Sequence, residues 1–358
     1  MFKDYFTLAL NAVLRRRKRS ILTLLGIIIG IAAVVSLITL GQGLKNSISG
    51  QFNALGNDKL IISAKGSALS IGLSTDAVKI TTKDLKAIHD TPGVKRAAGF
   101  IYTSARIEYN RNVRYFAVSG YPTNHEEVEL LWEASNYKLS TGRIIEDGDT
   151  YKAILGYAYT DENLFGQPLT LGDKIIVQGK TFKIIGFWDK TGSPPDDQGI
   201  IIPYQTYEEL FNKHDELGMI IAQTESGENV DHVAEILNKE LRKSRNIDAG
   251  KEDFAIHTPK QLGAAFETII NMVQVVLIGI AAISLAVGGV GITNTMYTNV
   301  LERTREIGLL KAIGAKRKDI ILIFVLEAGL YGLVGGIIGV LIGSAFALGV
   351  GEIFKIAV

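Results

Sequence analysis

Three runs of this 358-residue chain are too long and too apolar for the core of a water-soluble domain. Ile21 to Leu40 carries no charge over 20 residues; as a helix it spans about 30 Å, the hydrocarbon thickness of a bilayer. Thr268 to Leu301 is uncharged over 34 residues, enough to cross a bilayer and project beyond it. Ile320 to Gly351 holds one charge, Glu327, and its uncharged part from Ala328 is 24 residues long. Three membrane spans are therefore expected, over 20–41, 268–297 and 320–351.

Charge orients them. Arg15, Arg16, Arg17, Lys18 and Arg19 stand directly before the first run, and Glu302 to Asp319 carries six basic residues against three acidic ones. Both segments are expected on the cytoplasmic side, because basic residues close to span ends are retained there. Gly41 to Glu267 is 227 residues long, with 25 basic and 31 acidic residues, and its net of −6 is expected to face outward. The first run exceeds the ~7–15-residue core of a cleaved signal and no Ala-x-Ala site follows it, so it reads as an uncleaved anchor. Met1 to Leu14, with Phe2, Tyr5, Phe6 and Leu8, reads either as an amphipathic helix on the inner leaflet, within a cytoplasmic segment 1–19, or as an extension of the first span.

Within the outer segment, Lys59–Ser63 reads as a strand, and Thr81 with Asp84 caps a helix that Pro92-Gly93 closes. Strand-like runs follow at Val94–Glu108 and Val113–Ser119. A second such block comes late: strand Met219–Gln223, helix Glu228–Ser244 with Val230, Val233, Leu237 and Leu241 on one stripe, and strand Asp253–His257. Between them, Leu171–Gly186 reads as a hairpin turning at Gln178-Gly179, Gly192–Gly199 as a loop, and Thr206 with Glu209 as a capping box. Thr258-Pro259-Lys260-Gln261 opens the helix that returns to the membrane. The expected fold class is an α-helical transmembrane bundle plus an α+β extracytoplasmic domain over 42–267. A membrane-proximal βαβ-type lobe (42–119 and 217–267) would carry an inserted β-rich lobe (120–216).

Much chemistry is excluded. With no cysteine, the chain has no disulfide, thiol nucleophile or iron–sulfur cluster. Lys and Arg number 38 against 37 Asp and Glu, which gives no case for a nucleic-acid partner. No P-loop, Gly-x-Ser-x-Gly elbow or His-Glu-x-x-His occurs, and Gly41-Gln-Gly-Leu-Lys45 has the wrong spacing for a phosphate loop. The five histidines, His89, His125, His214, His232 and His257, are scattered. Neither metal, cofactor nor catalytic residue is expected.

The loop 298–319 is the informative element. Glu302 to Ile313 suits a short helix ended by Gly314, with Ile307, Leu310 and either Leu309 or Ile313 on an apolar side, and Arg303, Arg305, Glu306 and Lys311 on a charged one. Physically it is either a helix resting on the membrane or a docking helix. The stretch Glu302-Arg-Thr-Arg-Glu-Ile-Gly-Leu-Leu-Lys-Ala-Ile-Gly-Ala-Lys-Arg-Lys-Asp319 resembles the signature of the MacB/FtsX-type ABC transporter permeases. Gly56–Ile62, Gly142–Gly148, Leu164–Gly166 and Ile201–Pro203 resemble that family's outer domain in the same order, so the similarity covers nearly the whole chain.

The resemblance implies a non-enzymatic permease subunit in the cytoplasmic membrane, in which the loop helix couples to a separate cytoplasmic ATPase. It carries over Glu302, Arg303, Arg305, Glu306, Ile307, Leu309, Leu310 and Lys311 as coupling positions. It also implies a homodimer, mechanical transmission to the outer domain, and export or extraction of a drug, peptide or lipoprotein, with an extracytoplasmic adaptor or substrate as a further partner. The family's cell-division branch offers the alternative of a regulatory anchor that activates an outer cell-wall hydrolase. Family permeases have a fourth span; here the chain ends at Val358 after a tail 352–358, so that span is expected to be missing. Gly335, Gly339 and Gly343 recur every four residues, as do Gly26 and Gly30, which favours close helix packing. Glu327 is placed either facing the bundle or reaching the headgroups.

Overall fold

The fold is described from a computed structural model over residues 17–66 and 79–354; the expected helix over Met1–Leu14 lies outside the described residues. In chain order the elements are α1 (Arg17–Leu55), β1 (Lys59–Ala64), β2 (Ile80–Thr81), α2 (Thr82–His89), β3 (Val94–Tyr109), β4 (Asn112–Tyr121), α3 (His125–Ala134), β5 (Leu139–Gly142), β6 (Lys152–Leu155), β7 (Lys174–Val177), β8 (Lys180–Trp188), β9 (Ile200–Pro203), α4 (Tyr204–Phe211), β10 (Glu216–Leu217), β11 (Met219–Thr224), α5 (Val230–Arg245), β12 (Phe254–His257), α6 (Pro259–Glu302), α7 (Thr304–Ala312) and α8 (Arg317–Phe354). By contact the chain divides into Gly50–Ala264 and a second unit of Met1–Ser49 with Ala265–Val358.

In the first unit, β1 lies between β11 and β12 and runs antiparallel to both, while β11 pairs antiparallel with β3. Strands β1 and β3 therefore run parallel with one strand between them, as do β11 and β12. These are two split βαβ units whose crossovers contain α2 and α5. Thr81 forms its capping box with Asp84 at the start of α2. Helix α5 opens on Asn229, whose side chain accepts from the Asp231 and His232 amides, and buries Val233, Leu237 and Leu241 against Leu60, Ile62 and Ile220.

Strands β3 and β4 form a long hairpin. Asn110 and Arg111 both take positive φ, 47° and 65°, as a two-residue turn between twisted strands requires. From β4 the sheet passes through β9, β6, β8 and β7 and returns to β3, where Ile107 pairs with Val177. The six strands close on themselves, and Ala105, Ile107, Val118, Ile175, Val177 and Phe182 belong to the core they share. The β7–β8 turn falls at Gln178-Gly179, as the alternation on both arms predicts.

Three local expectations differ from the structure. Thr206 does not cap a helix: α4 starts two residues earlier, directly after Pro203, and Thr206 is buried within its first turns. Proline's fixed φ presets that helix start and no side-chain cap is used. The 192–199 loop contains a helical turn, Pro194–Asp197, held where the Asp197 carboxylate accepts from the Thr191 amide at 2.7 Å and its hydroxyl at 2.8 Å. Helix α3 was not anticipated, although Asn124 caps it by accepting from the Glu126 and Glu127 amides. Its Leu130, Leu131 and Trp132 pack with Trp188.

Asp149 pins the turn between β5 and β6. Burial alone would raise its pKa, but hydrogen bonds from Arg143 and Lys152, the Glu146 amide and the Arg143 charge together hold it well below its ordinary 3.8. A depressed carboxyl stabilises the fold above its unfolded pKa and loses that contribution as pH falls through the folded value. Acid unfolding below about pH 4 should therefore steepen with this group, and Arg143→Gln should flatten that limb of a stability–pH curve while leaving the neutral plateau less stable. An unchanged acid limb in the variant would show that Asp149 contributes nothing.

In the second unit, α1, α6 and α8 each contain a stretch long and apolar enough to cross a membrane: Leu24–Gly43, Pro259–Glu302 and Arg317–Gly351. Helix α1 continues past its apolar run to Leu55 and stops at Gly56, which takes φ +87° as a left-handed terminator. Helix α6 opens on a reciprocal box: the Thr258 amide donates to Gln261 Oε1 and the Gln261 amide to Thr258 Oγ1, both at 3.2 Å.

Candidate functional site

The site centres on α7, the short helix between α6 and α8. Gly314 takes φ +100° directly after its C-cap Ile313, so the chain can turn sharply towards α8. No residue of α7 is buried. Glu302, Arg305, Glu306, Leu309 and Lys311 are exposed; Arg303, Ile307 and Leu310 are half-buried. Leu309 and Ile313, one helical turn apart and so on one face, are 67% and 75% exposed. They flank a surface shared with Arg305, a mixed apolar and cationic face at the centre of a basic loop. Ile313 stands out only by its spacing from Leu309, which is the signal that adds it to the coupling positions.

Arg303 occupies the junction between α6 and α7 and is engaged on three sides. Its Nε donates to Glu306 Oε2 at 2.8 Å, its Nη1 lies 3.5 Å from Glu327 Oε2, and its guanidinium sits 5.6 Å from the Phe324 ring centre. Glu327 is 2% exposed, and its Oε1 accepts from Asn299 Nδ2 at 3.0 Å. Asn299 was missed from the sequence; it precedes Arg303 by four residues and thus shares its helix face.

The small-residue positions separate by location. A Cβ on Gly335 or Gly339 would meet the Ile27 or Ile31 side chain of α1, and one on Gly343 would lie 2.6 Å from the Ala32 carbonyl oxygen. Gly30 faces Ser284 of α6, whereas Gly26 meets nothing within 4 Å. Ser36 reinforces the α1–α8 approach by donating to the Gly343 carbonyl at 3.0 Å. Among the described residues no group of three His, Cys, Asp or Glu is placed to hold a metal ion.

Residues 20–240 match the family described as MacB-like periplasmic core domain, and residues 278–355 match the FtsX-like permease C-terminal family. An uncharacterized ABC transporter permease of Methanocaldococcus jannaschii is 36% identical over 344 residues, covering 96% of this chain and 84% of the relative. The macrolide export ATP-binding/permease protein MacB of Neisseria gonorrhoeae is 30% identical, covering 97% of this chain and 53% of that protein. The pyoverdine export ATP-binding/permease protein PvdT of Pseudomonas putida is 32% identical, with 95% and 51% covered. The chain thus spans about half the length of these two exporters. The crystal structure of the periplasmic region of MacB from Actinobacillus actinomycetemcomitans aligns with a TM-score of 0.49 at 14% identity, over 60% of this chain and 95% of that one. With both family matches lying in order along one chain of long apolar helices and a mixed α/β outer unit, this membrane protein belongs to the MacB/FtsX-type ABC transporter permease family.

Proposed function

We propose that the chain is the permease subunit of an ABC transporter and that α7 docks on a separate cytoplasmic ATPase. The observation that carries this reading is the exposed Leu309–Ile313 face, flanked by Arg305, on a loop between two apolar helices. An apolar pair presented to water beside basic residues is suited to a protein partner, with the charges at the rim. Glu302, Arg305, Glu306, Ile307, Leu309, Leu310 and Lys311 form the coupling surface, and Arg303 anchors it. The catalytic ATPase chemistry resides in the partner. Two copies pair through their membrane helices over 20–41, 268–297 and 320–351 in the cytoplasmic membrane. ATP-driven movement of α7 passes to the outer domain, and α6 with its capped outer end is the lever. The relatives from Neisseria gonorrhoeae and Pseudomonas putida are named for macrolide and pyoverdine export, which supports export as the outcome; drug, peptide and lipoprotein are the substrate classes the family resemblance implies.

The test is binding and turnover in proteoliposomes containing the full chain and a cognate ABC ATPase. Leu309→Glu should weaken the complex about 30-fold, equivalent to roughly 2 kcal/mol for a central interface anchor. The reading fails if Leu309→Glu combined with Ile313→Glu binds the ATPase and alters its turnover as the unmodified chain does.

A further inference from the structure

Glu327 is the single charge of Ile320–Gly351, and it is buried, 2% exposed. An ionisable group placed this way costs free energy unless paired, so its partners define its role. Two of its partners, Asn299 and Arg303, come from the other side of the loop. Asn299 holds Oε1 and Arg303 approaches Oε2, from positions one turn apart around the end of α6. Arg303 simultaneously holds Glu306 on α7. One guanidinium therefore ties α7 to α8 at the point where α6 ends.

In the covalent link between α7 and α8, the Gly314 amide donates to the Lys311 carbonyl at 3.1 Å and the Ala315 amide to the Leu310 carbonyl at 2.9 Å, bonds that close the end of α7. The link passes through Gly314 at φ +100°, a conformation glycine takes without strain. We propose that Asn299, Arg303 and Glu327 form a polar strut that transmits displacement of α7 to α8, with Arg303 and Glu327 as positioning residues. This rests on the permease reading and adds to it the route of transmission on the membrane side. If the cluster merely satisfied a buried carboxylate, a neutral isostere would serve equally well.

Glu327→Gln separates the two roles. It keeps the volume and the acceptor for Asn299 but removes the charge that holds Arg303. In proteoliposomes the variant should bind the ATPase like the unmodified chain, while the permease-dependent change in ATP turnover falls about tenfold, as loss of an inter-site coupling would produce. The chain has no native cysteine, so Arg303→Cys with Glu327→Cys can be joined across the same α7–α8 tie by a short bis-methanethiosulfonate, each thiolate displacing a sulfinate to leave reducible disulfides. Bridging should restore the turnover response and reduction should abolish it. The strut is also read without any ATPase: spin labels replacing exposed Ile313 and Val325 in the full chain should give a narrow distance distribution that broadens on Glu327→Gln. A full turnover response in Glu327→Gln, no recovery on bridging, or an unchanged distance distribution overturns the strut. An unmodified chain that leaves ATP turnover unaltered overturns the permease reading instead, and the label distances then decide the strut alone.

Discussion

Replacing Arg245 with leucine is expected to cost the outer unit about 3 kcal/mol, the penalty for removing one partner of a buried ion pair. Arg245 ends α5 and reaches two elements at once. Its Nη1 bonds Asp84 Oδ2 at 2.7 Å, and its Nε and Nη2 grip the Asp253 carboxylate at 3.0 and 2.8 Å. Two further donations reach the Lys79 carbonyl. The Asp84 side chain is 3% exposed and is itself the N3 residue of the α2 capping box, so leucine would strand it with only the Thr81 amide and hydroxyl as partners. Lysine at the same position keeps the charge but loses the fork and should recover part of the stability. Asp84→Asn in the leucine background should also recover part, because the stranded charge is gone. The chain has two tryptophans, Trp132 and Trp188, both in the core beneath α3, so intrinsic fluorescence during urea unfolding of the full chain reports this unit. A midpoint unmoved by Arg245→Leu would show that the pair contributes nothing net.

The second large effect is expected at Gly343. The obstacle there is backbone: an added Cβ lies 2.6 Å from the Ala32 carbonyl oxygen and 3.0 Å from the Ala32 Cα, neither of which can rotate aside. Gly343→Ile should push α1 and α8 apart towards the ~10 Å of ordinary side-chain-mediated packing and break the Ser36 hydrogen bond to the Gly343 carbonyl. Gly335→Ala should be milder, because its Cβ meets only side-chain atoms, the Ile27 Cγ2 at 2.7 Å and Cβ at 3.0 Å, and no backbone carbonyl. Spin labels replacing exposed Ile29 on α1 and Ile342 on α8 would report the separation in liposomes. Equal distances in the two variants and the unmodified chain would sink this account of the stripe.

The legibility of the sequence follows the range of the interaction. Thr81 with Asp84 and Thr258 with Gln261 are readable because the whole device lies within four residues. The Gln178-Gly179 turn is readable for the same reason. Asn124 offered an equally local signal, with Glu127 at N3, but a strand-rich surrounding masked it. The Asn110-Arg111 turn was obscured because arginine stands where glycine commonly takes positive φ. Closure of the six strands depends on Ile107 meeting Val177, a distant pairing that no local pattern encodes. At the candidate site, the composition and termination of α7 were legible and its orientation was not. The placement of Arg303 depends on Glu327, which a neighbouring helix supplies.

The interleaved order of β12, β1, β11 and β3 makes assembly of the outer unit wait on its own far end. Lys59 of β1 aligns with Gln223 of β11, and Ile61 with His257 of β12, so β1 emerges from synthesis long before either neighbour exists. Until β12 has been exported, both edges of β1 are open, and such non-local pairing is slow and prone to association with other chains. Since α6 begins two residues after His257, completion of the sheet and commitment of the second apolar helix to the bilayer become nearly simultaneous events. A folding catalyst or holdase on the outer face would have its longest task at this strand.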